Sequence, residues 1–282
     1  MDIKNVTIQC QDGFQLGASE FVPVSSNGIG IIINGATGVL RKYYQAFSEY
    51  LCEQGFTVLS YDFRGIGESQ VRTEESPPAN MVHWGQRDMD DVMHYFKAQY
   101  PKLTIKGIGH SIGGQLLGLM PDNNRYDSFL NIASQHAYWK NWSIKNRTKS
   151  GLLFFILLPL FSKLFNGLPG WVLGSEPLNK HTAADWGRFG RKAHYRDHKG
   201  NVLKEGFESY QGSMRFYSIA DDLNFAPEKG VKSLQGLFKN ASSDHVSIHP
   251  KEYGMKRIEH FGFFQKKMNK KAWAECADWL AD

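Results

Sequence analysis

Short apolar stretches alternate with longer amphipathic ones along most of this chain, a pattern typical of strands connected by helices. Residues 6–10 and 14–18 are strand-like and are joined by a Gln-Asp-Gly turn, which predicts a hairpin at the start. The run at 29–33 is apolar throughout, as expected of a strand buried on both faces of a sheet. The same reasoning predicts further strands at 56–61, 103–108, 128–133, 214–219 and 246–248, and helices at 43–54, 84–100 and 270–280.

The alternation stops between residues 134 and 206, where the chain is rich in Trp, Phe, Gly and basic residues and shows no clear strand. An alternating series with such an insertion predicts an α/β fold. We expect a mostly parallel central sheet flanked by helices, with a helical cap inserted after the sixth strand. Residues 1–133 and 207–282 then form the core, and residues 134–206 form the cap. Ligands of such sheets bind at the carboxyl ends of the strands.

A serine follows one predicted strand, in the sequence GHSIGG at 109–114. This is the G-x-S-x-G pattern with Ser111 at its centre, and a helix-like run comes directly after it. Strand, glycine-rich turn and helix are the setting of a nucleophile elbow, which lifts a serine hydroxyl off the end of a sheet. Glycines also suit an ordinary tight turn between a strand and a helix. The pattern therefore predicts a catalytic serine only if its partners follow in the right order.

A nucleophilic serine needs a histidine as base and an acid that orients it, in the chain order Ser, Asp or Glu, His. His260 is the predicted base because it follows the last strand and precedes the closing helix, whereas His245 and His249 lie in or beside that strand. Two carboxylates follow the strand after the cap, and we favour Asp222 over Asp221 as the acid. The alternative for one of them is to cap the next helix.

The oxyanion formed in acyl transfer needs two preorganised N–H donors. One is predicted to be the amide of Ile112, which comes directly after the serine. The other should come from the loop at 34–39, which follows the third strand, and we choose the amide of Ala36. Glycines in this loop also fit a simple tight turn, and the two interpretations are compatible.

Four stretches together resemble the α/β-hydrolase family: NGATG at 34–38, YDFRGIGES at 61–69, GHSIGG at 109–114 and HFGFF at 260–264. The combination is similar to a bacterial group of predicted hydrolases near the serine aminopeptidase-like branch, and the likeness extends over nearly the whole chain. Many relatives have His-Gly where this chain has Asn-Gly in the first stretch. The resemblance implies an α/β-hydrolase fold, serine hydrolase chemistry and a triad acid after the cap, which matches Asp222. It names no substrate.

The predicted activity is hydrolysis of an acyl bond, with a carboxylic ester as the favoured substrate. Ser111 attacks the acyl carbon, His260 takes its proton, and the Ala36 and Ile112 amides hold the oxyanion until water releases the acyl-enzyme. This chemistry requires no metal and no organic cofactor. An acyltransferase, a thioesterase or a peptidase would use the same residues. A non-catalytic small-molecule binding protein on the same fold is the alternative from another class.

The basic residues are unevenly distributed along the chain. Residues 140–204 hold twelve Lys or Arg against three Asp or Glu, although the net charge of the whole chain is only +5. We predict a positive roof over the catalytic cleft that attracts an anionic acyl substrate; the alternative is a solvated basic face. No recognised nucleic-acid-binding module accompanies these residues, so nucleic acid is not an expected partner.

The predicted cap contains LLFFILL at 152–158, a run too short to span a bilayer, so no integral membrane segment is expected. A helix packed on the cap and core explains this run, and so does an acyl-pocket wall, a dimer face or a contact with a membrane surface. Because one of these alternatives is a dimer face, a homo-oligomer remains one of the expected partners. The N-terminus lacks the apolar region of a secretory signal, and three widely spaced cysteines fit reduced thiols, so we expect a cytoplasmic protein.

Overall fold

The computed structural model describes residues 1–70, 78–172 and 174–282. The strands in this part of the chain are β1 (Asp2–Gln9), β2 (Gln15–Val22), β3 (Ile29–Asn34), β4 (Thr57–Tyr61), β5 (Thr104–His110), β6 (Ser128–Ile132), β7 (Gly167–Leu168), β8 (Leu178–Asn179), β9 (Ser213–Ile219) and β10 (Ser242–Ile248). Eight of them form one sheet in the order β1-β2-β4-β3-β5-β6-β9-β10. β2 is antiparallel to β1 and β4, and the remaining neighbours are parallel. The predicted hairpin and the mostly parallel central sheet are confirmed.

The helices in the described residues are α1 (Gln45–Glu53), α2 (Met81–His83), α3 (Met89–Gln99), α4 (Ile112–Leu116), α5 (Ile144–Leu152), α6 (Leu158–Leu164), α7 (Lys180–Arg191), α8 (Glu205–Ser209), α9 (Glu228–Gln235), α10 (Glu259–Gly262) and α11 (Lys270–Ala281). One π-helical turn, Trp84–Asp88, joins α2 to α3, and another, Leu153–Leu157, joins α5 to α6. The helices flank the sheet: α1 packs on β4 and contacts α11, while α9 packs on β9 and β10. None of the helices in the described part combines the length and the apolar character that crossing a bilayer requires.

Helices on both sides explain why the central strands are nearly continuous apolar runs. β4 is buried along its whole length, and β3 is buried except at its first residue. A strand covered on one face alone would alternate apolar with polar side chains. The continuous apolar run at 29–33 therefore indicates a strand and also indicates that helices cover both faces of the sheet.

The segment at 134–206 interrupts the main sheet and contains α5, α6 and α7, with β7 and β8 paired antiparallel. Its two-residue strands are too short for a periodic pattern to predict. Phe154, in the π-helical turn that leads into α6, packs against α7. Its ring centre lies 6.3 Å from that of Trp186 in α7. Helix α8 extends from Glu205 to Ser209, so it crosses the predicted boundary at residue 206. The division into core and cap stays a prediction.

The carboxyl ends of the parallel strands meet at one edge of the sheet. Asn34 at the end of β3 pairs with Gly109 of β5, and β6 and β9 continue the same edge. Ser111 follows β5 directly, while Ala36 comes shortly after β3 and Asp222 shortly after β9. The topology therefore delivers residues from three separate connections to the same place.

Candidate active site

Ser111 lies in a sharp turn between β5 and α4 and is nearly buried, with 8% of its surface exposed. Its backbone has φ 54° and ψ −116°, which a residue other than glycine adopts only under strain. The turn needs glycine on both sides. A Cβ at Gly113 would lie 2.1 Å from the carbonyl oxygen of Asn34, and one at Gly109 would lie 2.5 Å from the Cα of Gly114. This is the geometry that a nucleophile elbow requires.

His260 is held by one of the two adjacent aspartates. Its Nδ1 lies 2.6 Å from Oδ2 of Asp222, and both side chains are almost completely buried. The carboxylate of Asp222 also accepts hydrogen bonds from the amides of Phe225, at 3.0 Å, and Ala226, at 3.1 Å. The ring of Phe225 stacks on the imidazole with ring centres 5.0 Å apart. These contacts fix the imidazole and direct its Nδ1 toward the acid.

Asp221 has a different position, which the sequence could not distinguish from that of its neighbour. Its carboxylate accepts hydrogen bonds from the amides of Ile258, at 3.0 Å, and Glu259, at 2.9 Å. Glu259 has φ 53°, so the turn that precedes His260 is strained and Asp221 holds it closed. The expected alternative, in which one carboxylate caps the helix that follows Pro227, is wrong, because neither aspartate binds an amide of α9 in the described residues; Asp221 instead binds amides at the start of α10.

Four of the five predicted site residues surround one small cavity of about 40 Å³. Ser111, Ile112, Ala36 and His260 line it, and Asp222 lies behind the imidazole. The other lining residues are Thr37, Gln115, Gln135, Ser175, Trp186, Phe225 and Phe261. A cavity of this size holds a few water molecules. Trp186 and Ser175 belong to the segment that the sequence predicts to be a cap.

The loop that is predicted to supply an oxyanion donor differs in one respect from the prediction. The amide of Ala36 donates a hydrogen bond of 2.7 Å to the Tyr44 hydroxyl, so this N–H is already occupied. Thr37, the next residue, also lines the cavity, and its amide has no acceptor among the described residues. The amide of Ile112, at the first position of α4, is likewise unpaired in that part of the chain, because the first amides of a helix have no partner within it.

The sequence reasoning missed His110, a fully buried residue that connects three parts of the site. Its Nε2 lies 3.0 Å from the carbonyl oxygen of His260, and its Nδ1 lies 2.9 Å from the hydroxyl of Tyr44. Because a carbonyl only accepts, Nε2 carries the proton and Nδ1 accepts from Tyr44. Burial, and next the charge of His260, lower the pKa of His110 well below its usual value. The only signal in the sequence is its place directly before Ser111.

The lining of this cavity gives no support to the predicted positive roof, which stays a prediction. No Lys or Arg is among the described residues that line it, and His260 is the one basic side chain there. A larger cleft of about 550 Å³ shares Ser175 and Phe261 with the cavity and is mostly apolar. Lys42 lines this cleft together with Tyr43, but Lys42 lies outside the basic segment.

The motif at 61–69 forms structural ion pairs away from Ser111. Asp62 binds Arg41, with Oδ2 2.5 Å from Nη1, and Arg64 binds Asp88, with Nε 2.5 Å from Oδ1. All four of these side chains are buried. Within the described residues, no member of this motif lines the Ser111 cavity. The motif therefore supplies buried ion pairs that link the residues after β4 to Arg41 and Asp88.

Comparisons with known proteins identify the family and the fold. Residues 25–185, more than half of the chain, match the model of a family described as serine aminopeptidase, S33. No curated protein sequence matches the chain significantly. Among solved structures, a thermostable carboxyl esterase from Bacillus coagulans superposes with a TM-score of 0.69 at 11% identity, covering 99% of this chain and 98% of that one.

Two further structures share the fold. The esterase Pf2001 from Pyrococcus furiosus has a TM-score of 0.62 at 15% identity, covering 99% of this chain and 91% of its own. A soluble variant of monoglyceride lipase from Saccharomyces cerevisiae has a TM-score of 0.64 at 14% identity, covering 98% and 95%. At such identities these likenesses concern the fold, and the family match carries the assignment. The chain is a serine hydrolase of the α/β-hydrolase fold and belongs to the serine aminopeptidase S33 family.

Proposed function

We propose that the protein hydrolyses carboxylic esters, with Ser111 as nucleophile, His260 as general base and Asp222 as the acid that orients it. The observation that carries this proposal is the 2.6 Å contact between Asp222 and Nδ1 of His260, on an imidazole that lines one cavity with Ser111. An ordinary turn between a strand and a helix needs neither this contact nor a strained serine.

The proposed reaction follows from which nitrogen of the His260 imidazole is hydrogen-bonded to Asp222. Nδ1–H donates to Asp222, so Nε2 accepts the proton of Ser111 as its oxygen attacks the ester carbon. His260 then protonates the leaving alcohol, and an acyl-enzyme forms. Water, deprotonated by His260, releases the acid. Asp222 stabilises the positive imidazolium that exists between these steps.

The oxyanion is proposed to bind the Ile112 amide and one amide of the turn at 36–37. The Ile112 amide is unpaired and lies at a helix N-terminus, which favours negative charge. The Thr37 amide is unpaired as well. The Ala36 amide, the predicted donor, must first leave the Tyr44 hydroxyl. In this conformation the geometry thus favours the Thr37 amide as the donor. The Ala36 amide becomes available only when its hydrogen bond to the Tyr44 hydroxyl breaks.

The proposed binding space is the cleft of about 550 Å³ beside Ser175 and Phe261. The cavity at Ser111 is too small for an acyl chain, and Ser175 and Phe261 line both this cavity and the larger cleft. Because Ser175 lies in the segment at 134–206, we propose that this segment acts as a cap. The apolar lining favours esters with a hydrophobic group.

Labelling with a fluorophosphonate probe tests the proposal directly. Wild type should react, while folded Ser111→Ala and His260→Ala should not. Hydrolysis of p-nitrophenyl esters of graded chain length should then fall by about 10⁴-fold in kcat for Asp222→Asn. Asp221→Asn is the matched control, since its carboxylate binds only backbone amides. Equal loss in the two Asn variants, or labelling that survives Ser111→Ala, would contradict the proposal.

A further inference from the structure

The helix that runs from α5 through α6 presents a row of apolar side chains to solvent, called here the apolar stripe. Leu152, Phe155, Ile156, Leu160 and Leu164 recur at helical spacing, and Ile144 lies about two turns earlier in the same helix. Ile156 is 54% exposed and Leu164 is 64% exposed, while the indole of Trp171, just beyond the helix, is 75% exposed. Single exposed apolar residues are ordinary, but a contiguous exposed row marks an interaction surface.

The opposite face of this helix is firmly anchored, so the helix cannot turn to bury the apolar stripe. Phe154 and Leu158 are almost completely buried. Phe154 packs closely on Gly190 of α7, and its carbonyl accepts a 2.8 Å hydrogen bond from Nη1 of Arg191. The orientation of the helix is therefore set from below, and the stripe faces outward.

Positive charge borders the apolar stripe, and negative charge is absent from this part of the sequence. Between Asp127 and Glu176 the chain contains no acidic residue, and its basic residues are Lys140, Lys145, Arg147, Lys149 and Lys163. All four lysines are exposed. Lys140 Nζ lies 5.7 Å from the Trp139 ring, which in turn lies 5.8 Å from the ring of Phe155. Cations and apolar side chains thus form one surface.

We propose that this surface binds the interface of a membrane that contains anionic lipids. The helix would lie parallel to the bilayer, with the apolar stripe between the headgroups and the acyl chains and the lysines against lipid phosphates. A helix with a large apolar face and basic residues beside it is typical of such binding. From α5 to α6 it spans about 31 Å, long enough to carry the whole stripe along the surface.

The charges favour a membrane over a second copy of the chain. Two copies joined through their stripes would bring lysines together from both sides, with no acidic residue between 128 and 175 to compensate. An anionic bilayer neutralises the same lysines. This inference concerns the outer face of the segment, so it does not depend on whether Ser111 hydrolyses esters.

Flotation of the full chain with lipid vesicles tests the proposal. Vesicles of phosphatidylcholine with phosphatidylglycerol should carry wild type upward, and added salt should weaken this binding. Ile156→Ser and Leu164→Ser should each lower the affinity by about tenfold. Lys145→Gln and Lys149→Gln should each lower it by about fivefold on anionic vesicles.

Val24→Ser is the matched control, because Val24 is 92% exposed and lies in the loop between β2 and β3, at the other edge of the sheet. Its binding should equal that of wild type, and thermal melting checks that every variant is folded. Absence of vesicle binding, or stripe variants that bind like Val24→Ser, would overturn the proposal. So would a dimer in size-exclusion chromatography that the stripe variants dissociate, since the surface would then belong to a second copy.

Discussion

Removing the hydroxyl of Tyr44 tests whether the buried network beside the nucleophile stabilises the fold. This oxygen accepts from the Ala36 amide at 2.7 Å and contacts Nδ1 of His110 at 2.9 Å, and the whole side chain is buried. Tyr44→Phe keeps the ring, whose edge packs on Phe264 with centres 4.9 Å apart. The substitution therefore deletes hydrogen bonds without opening a cavity larger than one oxygen atom.

The expected loss of stability follows from the two groups that are left without a partner. A buried donor or acceptor that loses its hydrogen bond costs about 1–3 kcal/mol, so two such groups cost about 2–6 kcal/mol. The Ala36 amide borders a cavity that can hold water, which reduces its share. We expect Tyr44→Phe to lower the free energy of unfolding by about 2–4 kcal/mol.

Urea unfolding followed by tryptophan fluorescence measures this difference, with Tyr43→Phe as the matched control. The Tyr43 hydroxyl donates to the Phe261 carbonyl at 2.6 Å and accepts from Gln265 at 3.1 Å, but Tyr43 is only half-buried. Water can replace its partners, so its removal should cost about 0.5–1.5 kcal/mol. If Tyr44→Phe loses no more stability than Tyr43→Phe, the conclusion that the buried hydrogen bonds of Tyr44 stabilise the fold is refuted.

Three further outcomes are expected. Asp222→Asn should lower kcat for ester hydrolysis by about 10⁴-fold while Asp221→Asn changes it far less, because only the former touches the imidazole; equal effects would contradict the assignment. Gly113→Ala should fail to fold or lose catalysis, since its Cβ would lie 2.1 Å from a carbonyl oxygen, whereas Gly236→Ala, with 3.5 Å of space, should unfold like wild type in urea. Burial lowers the pKa of His136 from 6.5 to about 4. Between these two pH values only the unfolded state binds a proton at this residue, so the free energy of unfolding should fall as the pH decreases from 6.5 to 4. His136→Gln should reduce that fall by about 3 kcal/mol in urea unfolding at a series of pH values, and an unchanged profile would contradict the buried neutral state.

Patterns that depend on neighbouring residues made the fold predictable. The isoleucine run at 29–33 indicated a strand covered on both faces, and β3 lies inside the sheet. The spacing of glycines around Ser111 indicated a turn too tight for side chains, which is the turn in the structure. Both signals are local, because they arise from residues a few positions apart.

The rest of the site depends on contacts between distant segments. Asp221 and Asp222 are identical in type and adjacent, so only the loop conformation decides which one reaches His260. The occupied amide of Ala36 depends on a tyrosine eight residues later. These roles stay predictions until they are measured.

The apolar run at 152–158 shows a related limit of the sequence. Every position in it is apolar, so periodicity carries no information on which side faces solvent. Burial then separates Phe154 and Leu158, which are inside, from Phe155 and Ile156, which are outside. The same uniformity left four interpretations of this run open.

The adjacent aspartates also have a consequence for how the site fluctuates. Asp221 accepts hydrogen bonds from the amides of Ile258 and Glu259. Asp222 binds the imidazole of His260 and the amides of Phe225 and Ala226, which lie in its own turn. Two neighbouring carboxylates thus join two loops that are far apart in the chain. Opening either loop requires release of the other, so in native-state hydrogen exchange their amides should open as one cooperative unit. Motions of the surrounding segments can then alter access to the site while the acid and the base keep their mutual geometry.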